Sequence, residues 1–139
     1  MIVLDTNVIS ETMRPAPNPS VIAWLNGQDI RTLFLTTVSL AEVRFGIARL
    51  DQGRVKTDLS ERLDRMLEQV FGGRILPFTA ATAQAFADRM AAARRMGRAV
   101  GFQDGMIGAC VALSGFVIAT RDTRPFEAMG VEVINPWDM

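Results

Sequence analysis

The sequence contains no histidine and no tyrosine, and it has only one cysteine, Cys110, and one lysine, Lys56. Without histidine, the chain has neither a Ser/His/Asp triad nor a Cys/His pair, and a lone cysteine forms no internal disulfide and no structural zinc site. Cys110 lies in the apolar stretch 106–113, which favours a buried thiol over a nucleophile. The catalytic chemistry that remains is that of carboxylates and arginines.

The chain also has no excess of charge of either sign. Lysine and arginine together number 15, as do aspartate and glutamate, and 49% of the residues are hydrophobic. This composition indicates a folded globular protein rather than a disordered segment or a strongly basic nucleic-acid binder, so any nucleic-acid site must be a local patch. No apolar run is long enough to span a bilayer, and the charge-flanked apolar segment of a signal peptide is missing. We expect one domain, 1–139, with no membrane association and a cytoplasmic location.

Strand-like and helix-like patterns alternate along the chain. Short apolar runs at 2–4, 33–35, 75–76, 116–119 and 131–134 predict strands. The intervening segments predict helices at about 6–14, 19–26, from 39 onward, 55–70, 79–96, 105–113 and from 125 onward. This alternation predicts an α/β fold with a mainly parallel sheet flanked by helices on both faces.

Four carboxylates stand at the ends of these elements. Asp5 and Asp122 each follow an apolar strand, whereas Glu42 and Asp104 each lie in the first turn of a predicted helix. The carboxyl ends of parallel strands open at one edge of a sheet, where ligands bind, so we expect the four acids to converge. Each also has a purely local interpretation: Glu42 completes a capping box with Ser39, Asp104 is an N-cap, and the other two are turn or cap residues.

A converged acidic cluster would need a cation. Like charges about 4 Å apart repel by roughly 4 kcal/mol at an effective dielectric near 20. Oxygen ligands in the absence of histidine and cysteine select Mg²⁺ or Mn²⁺, which activate water and neutralise a phosphoryl transition state. The acids therefore suggest a metal-dependent hydrolase.

Five motifs, in this order and spacing, resemble the PIN-domain ribonucleases, specifically the VapC-type toxins of bacterial toxin–antitoxin modules and their FitB-like branch. The motifs are Leu4-Asp5-Thr6-Asn7, Ser39-Leu40-Ala41-Glu42 followed by Gly46, Asp104-Gly105-Met106-Ile107, Thr120-Arg121-Asp122 with Phe126, and Asn135-Pro136-Trp137. The resemblance covers nearly the whole chain. The chain departs from it at Gly105 and Gly108, where the family more often has alanine.

The resemblance implies that Asp5, Glu42, Asp104 and Asp122 form a catalytic Mg²⁺ or Mn²⁺ site, with Asp122 at the family's more variable position. It implies cleavage of RNA to 5′-phosphate and 3′-hydroxyl ends. It also implies a homodimer and a small DNA-binding antitoxin of the VapB type, whose tail blocks the site and which carries the pair to operator DNA.

Our leading hypothesis is an endoribonuclease in which metal-activated water attacks the scissile phosphorus in line. Thr6, Asn7 and Ser39 are expected to orient the acids or the water. Arg94, Arg95 and Arg98 are candidate contacts to the RNA backbone, because guanidinium binds phosphate bidentately. These arginines have an alternative interpretation as a solvated helix end that complements the helix dipole.

Two other functions remain open on the sequence. A haloacid-dehalogenase-type phosphatase also has an aspartate after its first strand, but that family uses a second aspartate two residues later and a lysine. Here Asn7 stands at that position, and Lys56 lies in a polar helical segment. The second alternative is a non-catalytic RNA- or partner-binding module, which an assay for cleavage with added metal would distinguish.

Overall fold

A five-stranded parallel sheet organises the fold. The computed structural model describes all residues, 1–139. The strands are β1 (Ile2–Leu4), β2 (Leu33–Thr36), β3 (Ile75–Leu76), β4 (Val117–Ala119) and β5 (Val133–Ile134), in the spatial order β3-β2-β1-β4-β5. Every neighbouring pair is parallel. The predicted α/β fold with a mainly parallel sheet is confirmed.

Seven helices connect the strands, close to the predicted positions. They are α1 (Thr6–Thr12), α2 (Pro19–Asn26), α3 (Thr37–Ala48), α4 (Arg54–Met66), α5 (Ala80–Arg95), α6 (Phe102–Ser114) and α7 (Arg124–Ala128). A π-helical turn, Leu67–Phe71, continues α4 and ends at Gly72 in the left-handed region, with φ of 53°. No helix combines the length and the apolar character that crossing a membrane requires.

The sheet is buried on both faces. Successive residues of a strand point to opposite faces, and in β1 Val3 and Leu4 accordingly belong to two different core clusters. The cluster around Leu4 draws on α1 to α4, for example through Val8 and Leu63. The cluster around Val3 draws on α6 and α7, for example through Ile107. Helices therefore cover both faces, as the continuous apolar strands predict.

Close packing holds α6 against its neighbours. A Cβ added at Gly105 would lie 2.6 Å from Met90 Sδ and 3.0 Å from Phe86 Cε2, both on α5. A Cβ added at Gly108 would lie 3.4 Å from Met129 Cγ. Large side chains of the neighbouring elements thus fill the space at both glycines, the two positions where the resembling family more often has alanine.

Two helix starts differ from the sequence prediction. Strand β2 runs directly into α3, so Thr36, not Ser39, caps this helix, and Thr36 Oγ1 accepts a hydrogen bond of 3.0 Å from Ser39 N. Helix α6 begins one turn earlier than expected, with Gly101 as its N-cap, and Asp104 is its third residue. The capping interpretations of Glu42 and Asp104 are therefore wrong, which leaves both carboxylates free for another role.

Candidate active site

Strand register brings the first and last acidic motifs together at the carboxyl edge of the sheet. Leu4 of β1 pairs with Ala119 of β4, so the residues that follow them, Asp5 and Thr120, stand side by side. The backbone N–H of Asp5 donates to Ala119 O at 3.0 Å, extending the strand pairing by one residue. Asp122 follows Thr120 in the loop between β4 and α7.

Asp5 is a buried carboxylate with three donors. Its Oδ1 accepts from Thr6 N at 2.8 Å, and its Oδ2 accepts from Thr120 Oγ1 at 2.7 Å and from Asn7 Nδ2 at 3.2 Å. Asp5 is only 4% exposed. Burial raises the pKa of Asp5 to about 6, with a smaller contribution from the charges of Asp104 and Asp122, although the bonds from Thr120 and Thr6 oppose the rise.

Thr120 and Asn7 connect Asp5 to the loop that carries Asp122. Asn7 Nδ2 also donates to Thr120 Oγ1 at 3.1 Å, and Asn7 Oδ1 accepts from Arg121 N at 3.2 Å. Thr120 Oγ1 accepts from Asp122 N at 3.2 Å. The Arg121 guanidinium lies 5.7 Å from the centre of the Trp137 ring, so the closing Asn-Pro-Trp motif packs against this loop. Sequence reasoning missed Thr120, although its place directly after a buried strand mirrors that of Asp5.

Glu42 has an oxygen without a partner. Its Oε1 is buried and forms no hydrogen bond, and the same is true of Thr6 Oγ1. Both residues line the same cleft. Burial is the main cause of a raised pKa of Glu42, followed by the charge of Asp5, and the Thr6 side chain partly opposes the rise. A buried polar atom without a partner costs about 1–3 kcal/mol, so this oxygen is set up to bind something from outside the chain.

Asp104 and Asp122 complete the acidic group. The pKa of Asp104 is raised by its half-buried position and by the charge of Asp122. Asp104 also contributes to the raised pKa of Asp5 and of Glu42, so its charge interacts with those of the other three acids. No three acidic side chains, however, stand close enough together to form a ready-made metal cage.

The donor set nevertheless fits a hard divalent cation. All available ligands are oxygens, and Mg²⁺ keeps several of its waters, so it is commonly held by one or two carboxylates and by substrate phosphates rather than by an all-protein cage. The unpartnered Glu42 Oε1 and the buried Asp5 are the groups that a cation would stabilise most.

The remaining predicted residues fall in two places. Thr6 and Asn7 contact Asp5, whereas the Ser39 hydroxyl accepts a bond of 3.1 Å from Thr36 and makes none to an acid. Arg94 and Arg95 end α5 and Arg98 follows it, and all three are exposed.

Glu42 opens onto two surface clefts. Glu42 lies on the wall of a cleft of about 660 Å³ between α3 and the start of α6, which Phe45, Arg49 and Gln103 also line. It also borders a smaller cleft of about 290 Å³ toward α1, on the side of Thr6. Glu42 is thus accessible from both sides of α3.

Comparison with known proteins gives a consistent result. The sequence model of the family described as PIN domain matches residues 2–132. The chain is 45% identical over 138 residues to VapC ribonuclease Y4jK of Sinorhizobium fredii and 42% identical over 137 residues to Toxin FitB of Neisseria gonorrhoeae, covering 99% of each chain in both pairs. It is also similar to the solved structure of FitAB bound to the IR36 DNA fragment, with a TM-score of 0.94, 42% identity and coverage of 99% of this chain and 96% of that one.

Proposed function

Because the chain belongs to the PIN domain family, we propose that it is a divalent-metal-dependent endoribonuclease and the toxin of a toxin–antitoxin pair. The observation that carries the proposal is the pair of buried carboxylates near the carboxyl edge of the sheet: Asp5, which follows β1 and is 4% exposed, and Glu42, whose buried Oε1 has no partner and which lines the same cleft as Thr6. The names of the relatives support ribonuclease and toxin activity in proteins that align with this chain over nearly its whole length.

We assign the four acids as the ligands of Mg²⁺ or Mn²⁺. When bound, such a cation supplies charge neutralisation at the phosphoryl group and a more acidic water. Thr120, Thr6 and Asn7 fix the orientation of Asp5 through three hydrogen bonds. Glu42 Oε1, which has no partner, is the oxygen available to a cation or to a water molecule. With no histidine in the chain, carboxylates are the groups that accept protons near neutral pH.

We further propose a VapB-like antitoxin as partner, operator DNA bound through that antitoxin, a homodimer, and a cytoplasmic location. The structure of FitAB bound to a DNA fragment supports the first two assignments, since this chain is 42% identical to the matching chain. The same family membership favours RNA over a phosphomonoester as substrate. The side chains that a phosphatase of the haloacid-dehalogenase type would need are also not in place. Asn7, at the position of its second aspartate, donates a hydrogen bond to Asp5, and Lys56 Nζ donates to Ala48 O rather than to an acid.

The test is cleavage of total RNA by the purified protein with Mg²⁺ or Mn²⁺, followed by mapping of the new ends. We expect sharp sites with 5′-phosphate ends that disappear with a chelator and in Asp5→Asn, Glu42→Gln and Asp104→Asn, with a smaller effect of Asp122→Asn. Asp58→Asn is the matched control, because Asp58 is exposed on α4 and forms no ion pair. Cleavage that survives in the first three variants would refute the metal site, and no cleavage at all would favour the binding-module alternative.

A further inference from the structure

An exposed aromatic ring stands at the start of α6, the helix that carries Asp104. Phe102 is the first residue of α6 and is 71% exposed. One side of its ring is supported by Phe86 of α5, with ring centroids 5.1 Å apart and an interplanar angle of 57°. A phenylalanine that is fixed by a neighbour and open to solvent offers a rigid π-surface, which nothing else in the chain covers.

Phe102 forms one wall of a groove between α5 and the start of α6. The groove has a volume of about 490 Å³, and we call it the Phe102 groove; its lining includes Phe86, Met90, Arg94, Arg98, Val100 and Phe102. Most of the lining is apolar, and the charged side chains are both arginines. A ligand that fits must therefore combine a flat apolar part with negative charge.

The two arginines are available for a ligand. The ion pairs within the chain involve Arg14, Arg31 and Arg44, and neither Arg94 nor Arg98 makes a side-chain hydrogen bond. Arg89, five residues before Arg94 on α5, by contrast donates a hydrogen bond of 2.7 Å to Met129 O. Arg95 is exposed as well but does not line the groove. Of the three exposed arginines, Arg94 and Arg98 therefore lie in the same groove as the aromatic ring, and Arg95 does not.

The groove and the candidate metal site lie on opposite sides of the first turn of α6, because side chains two residues apart on a helix point in opposite directions. Phe102 lies two residues before Asp104, so their Cα atoms are at most about 7.6 Å apart. A nucleotide has a flat base and an anionic phosphate, and base stacking on aromatic rings combined with arginine contacts to phosphate is the usual mode of single-strand binding.

We propose that the Phe102 groove binds one nucleotide of a single-stranded RNA segment that continues around the start of α6 to the acids, with its base stacked on Phe102 and its phosphates held by Arg94 and Arg98. This assignment rests on the proposed nuclease function, since it takes RNA as the ligand and places it within one helical turn of Asp104. It makes the substrate single-stranded at the cleavage position, because a base within a duplex has no exposed face for stacking.

The test is binding of a short fluorescein-labelled single-stranded oligoribonucleotide in the presence of a chelator, so that cleavage does not interfere. Phe102→Leu removes the ring and keeps an apolar side chain, and we expect its Kd to rise about 5- to 150-fold, whereas Phe102→Trp retains binding. Replacing Arg94 and Arg98 by alanine should lower the slope of log K against log salt by about 1.4, while the matched control Arg95→Ala leaves it unchanged. A fluorescent adenine analogue placed in the same oligonucleotide should lose fluorescence when it stacks on the ring of the wild type or of Phe102→Trp, and should keep it with Phe102→Leu.

The outcomes separate this inference from the proposed function. Oligonucleotide binding that depends on Phe102 without any cleavage after Mg²⁺ is added would support the groove and refute the nuclease. Cleavage with equal binding by wild type and Phe102→Leu would overturn the groove and leave the nuclease standing. A change in oligomeric state in Phe102→Leu without a change in RNA affinity would also overturn it, because the ring would then be covered by a second copy of the chain.

Discussion

Asp5→Asn should stabilise the metal-free protein at neutral pH, although it is expected to abolish activity. Asp5 is 4% exposed and its pKa is raised from 3.8 to about 6. Because the folded state binds the proton more tightly than the unfolded state, Asp5 contributes stability that is fully present below about pH 4 and is lost as the pH rises through 6. At 1.36 kcal/mol per pKa unit, the ionised buried carboxylate costs the folded state about 3 kcal/mol.

The variant removes this cost but introduces a smaller one. Asparagine has one acceptor where Asp5 has two, so one of the donors Thr6, Thr120 and Asn7 loses its partner, at about 1 kcal/mol. The net gain in the free energy of unfolding should be about 2 kcal/mol at pH 7.5. At pH 4.5 Asp5 is protonated in the folded state but still mostly ionised in the unfolded state, so its cost falls to about 1 kcal/mol, which the lost hydrogen bond of the variant cancels, and the gain should vanish.

The assay is urea denaturation of both proteins at several pH values with a chelator present, and the fluorescence of Trp24 and Trp137 reports unfolding. The difference between variant and wild type should increase by about 2 kcal/mol between pH 4.5 and 7.5. Asp58→Asn should show no such pH dependence, since Asp58 is exposed on α4. A difference that is independent of pH, or a variant less stable than wild type at pH 7.5, would refute the buried-charge argument.

Three further predictions concern the same elements. Mn²⁺ at a hundredfold excess over its Kd should stabilise the wild type by about 2.7 kcal/mol and Asp5→Asn far less, as thermal melts would show. Thr120→Val should lower stability by about 1–3 kcal/mol and shift the pH–rate profile upward, while Thr120→Ser restores both, because the hydroxyl donates to Asp5. Gly46→Ala should stabilise the protein by about 1 kcal/mol, since the added Cβ would meet nothing within 4 Å. Gly105→Ala should destabilise the protein, because the added Cβ would contact Met90. Equal melting temperatures of the two variants would contradict this pair of predictions.

The strands, the helices and the acidic residues at the strand ends were predictable from the sequence, because they depend on local apolar patterns and on the parallel arrangement of the strands. Apolar runs followed by Asp5 and by Thr120-Arg121-Asp122 indicated strand ends at one edge, and strand register brings those ends together. The cap of α3 was misplaced because a strand that runs directly into a helix needs no separate capping residue, and Thr36 serves both elements. Thr120 was missed because its partner Asp5 is 115 positions away in sequence, so their contact exists only once β1 and β4 are paired.

Helix α6 links the fold to the proposed chemistry. Its glycines let α5 and Met129 pack within a distance that a Cβ would obstruct, which fixes the helix against its neighbours. Its first turn then presents successive side chains to different surroundings: Phe102 to its groove, Gln103 to the cleft beside Glu42, and Asp104 to the acidic site. A side chain on a tightly packed helix keeps its position better than one on a loop, so the close packing at Gly105 and Gly108 sets the spacing between the stacking surface and Asp104. Loosening that packing should therefore impair cleavage more than RNA binding, because cleavage depends on the position of Asp104 relative to the bound phosphate.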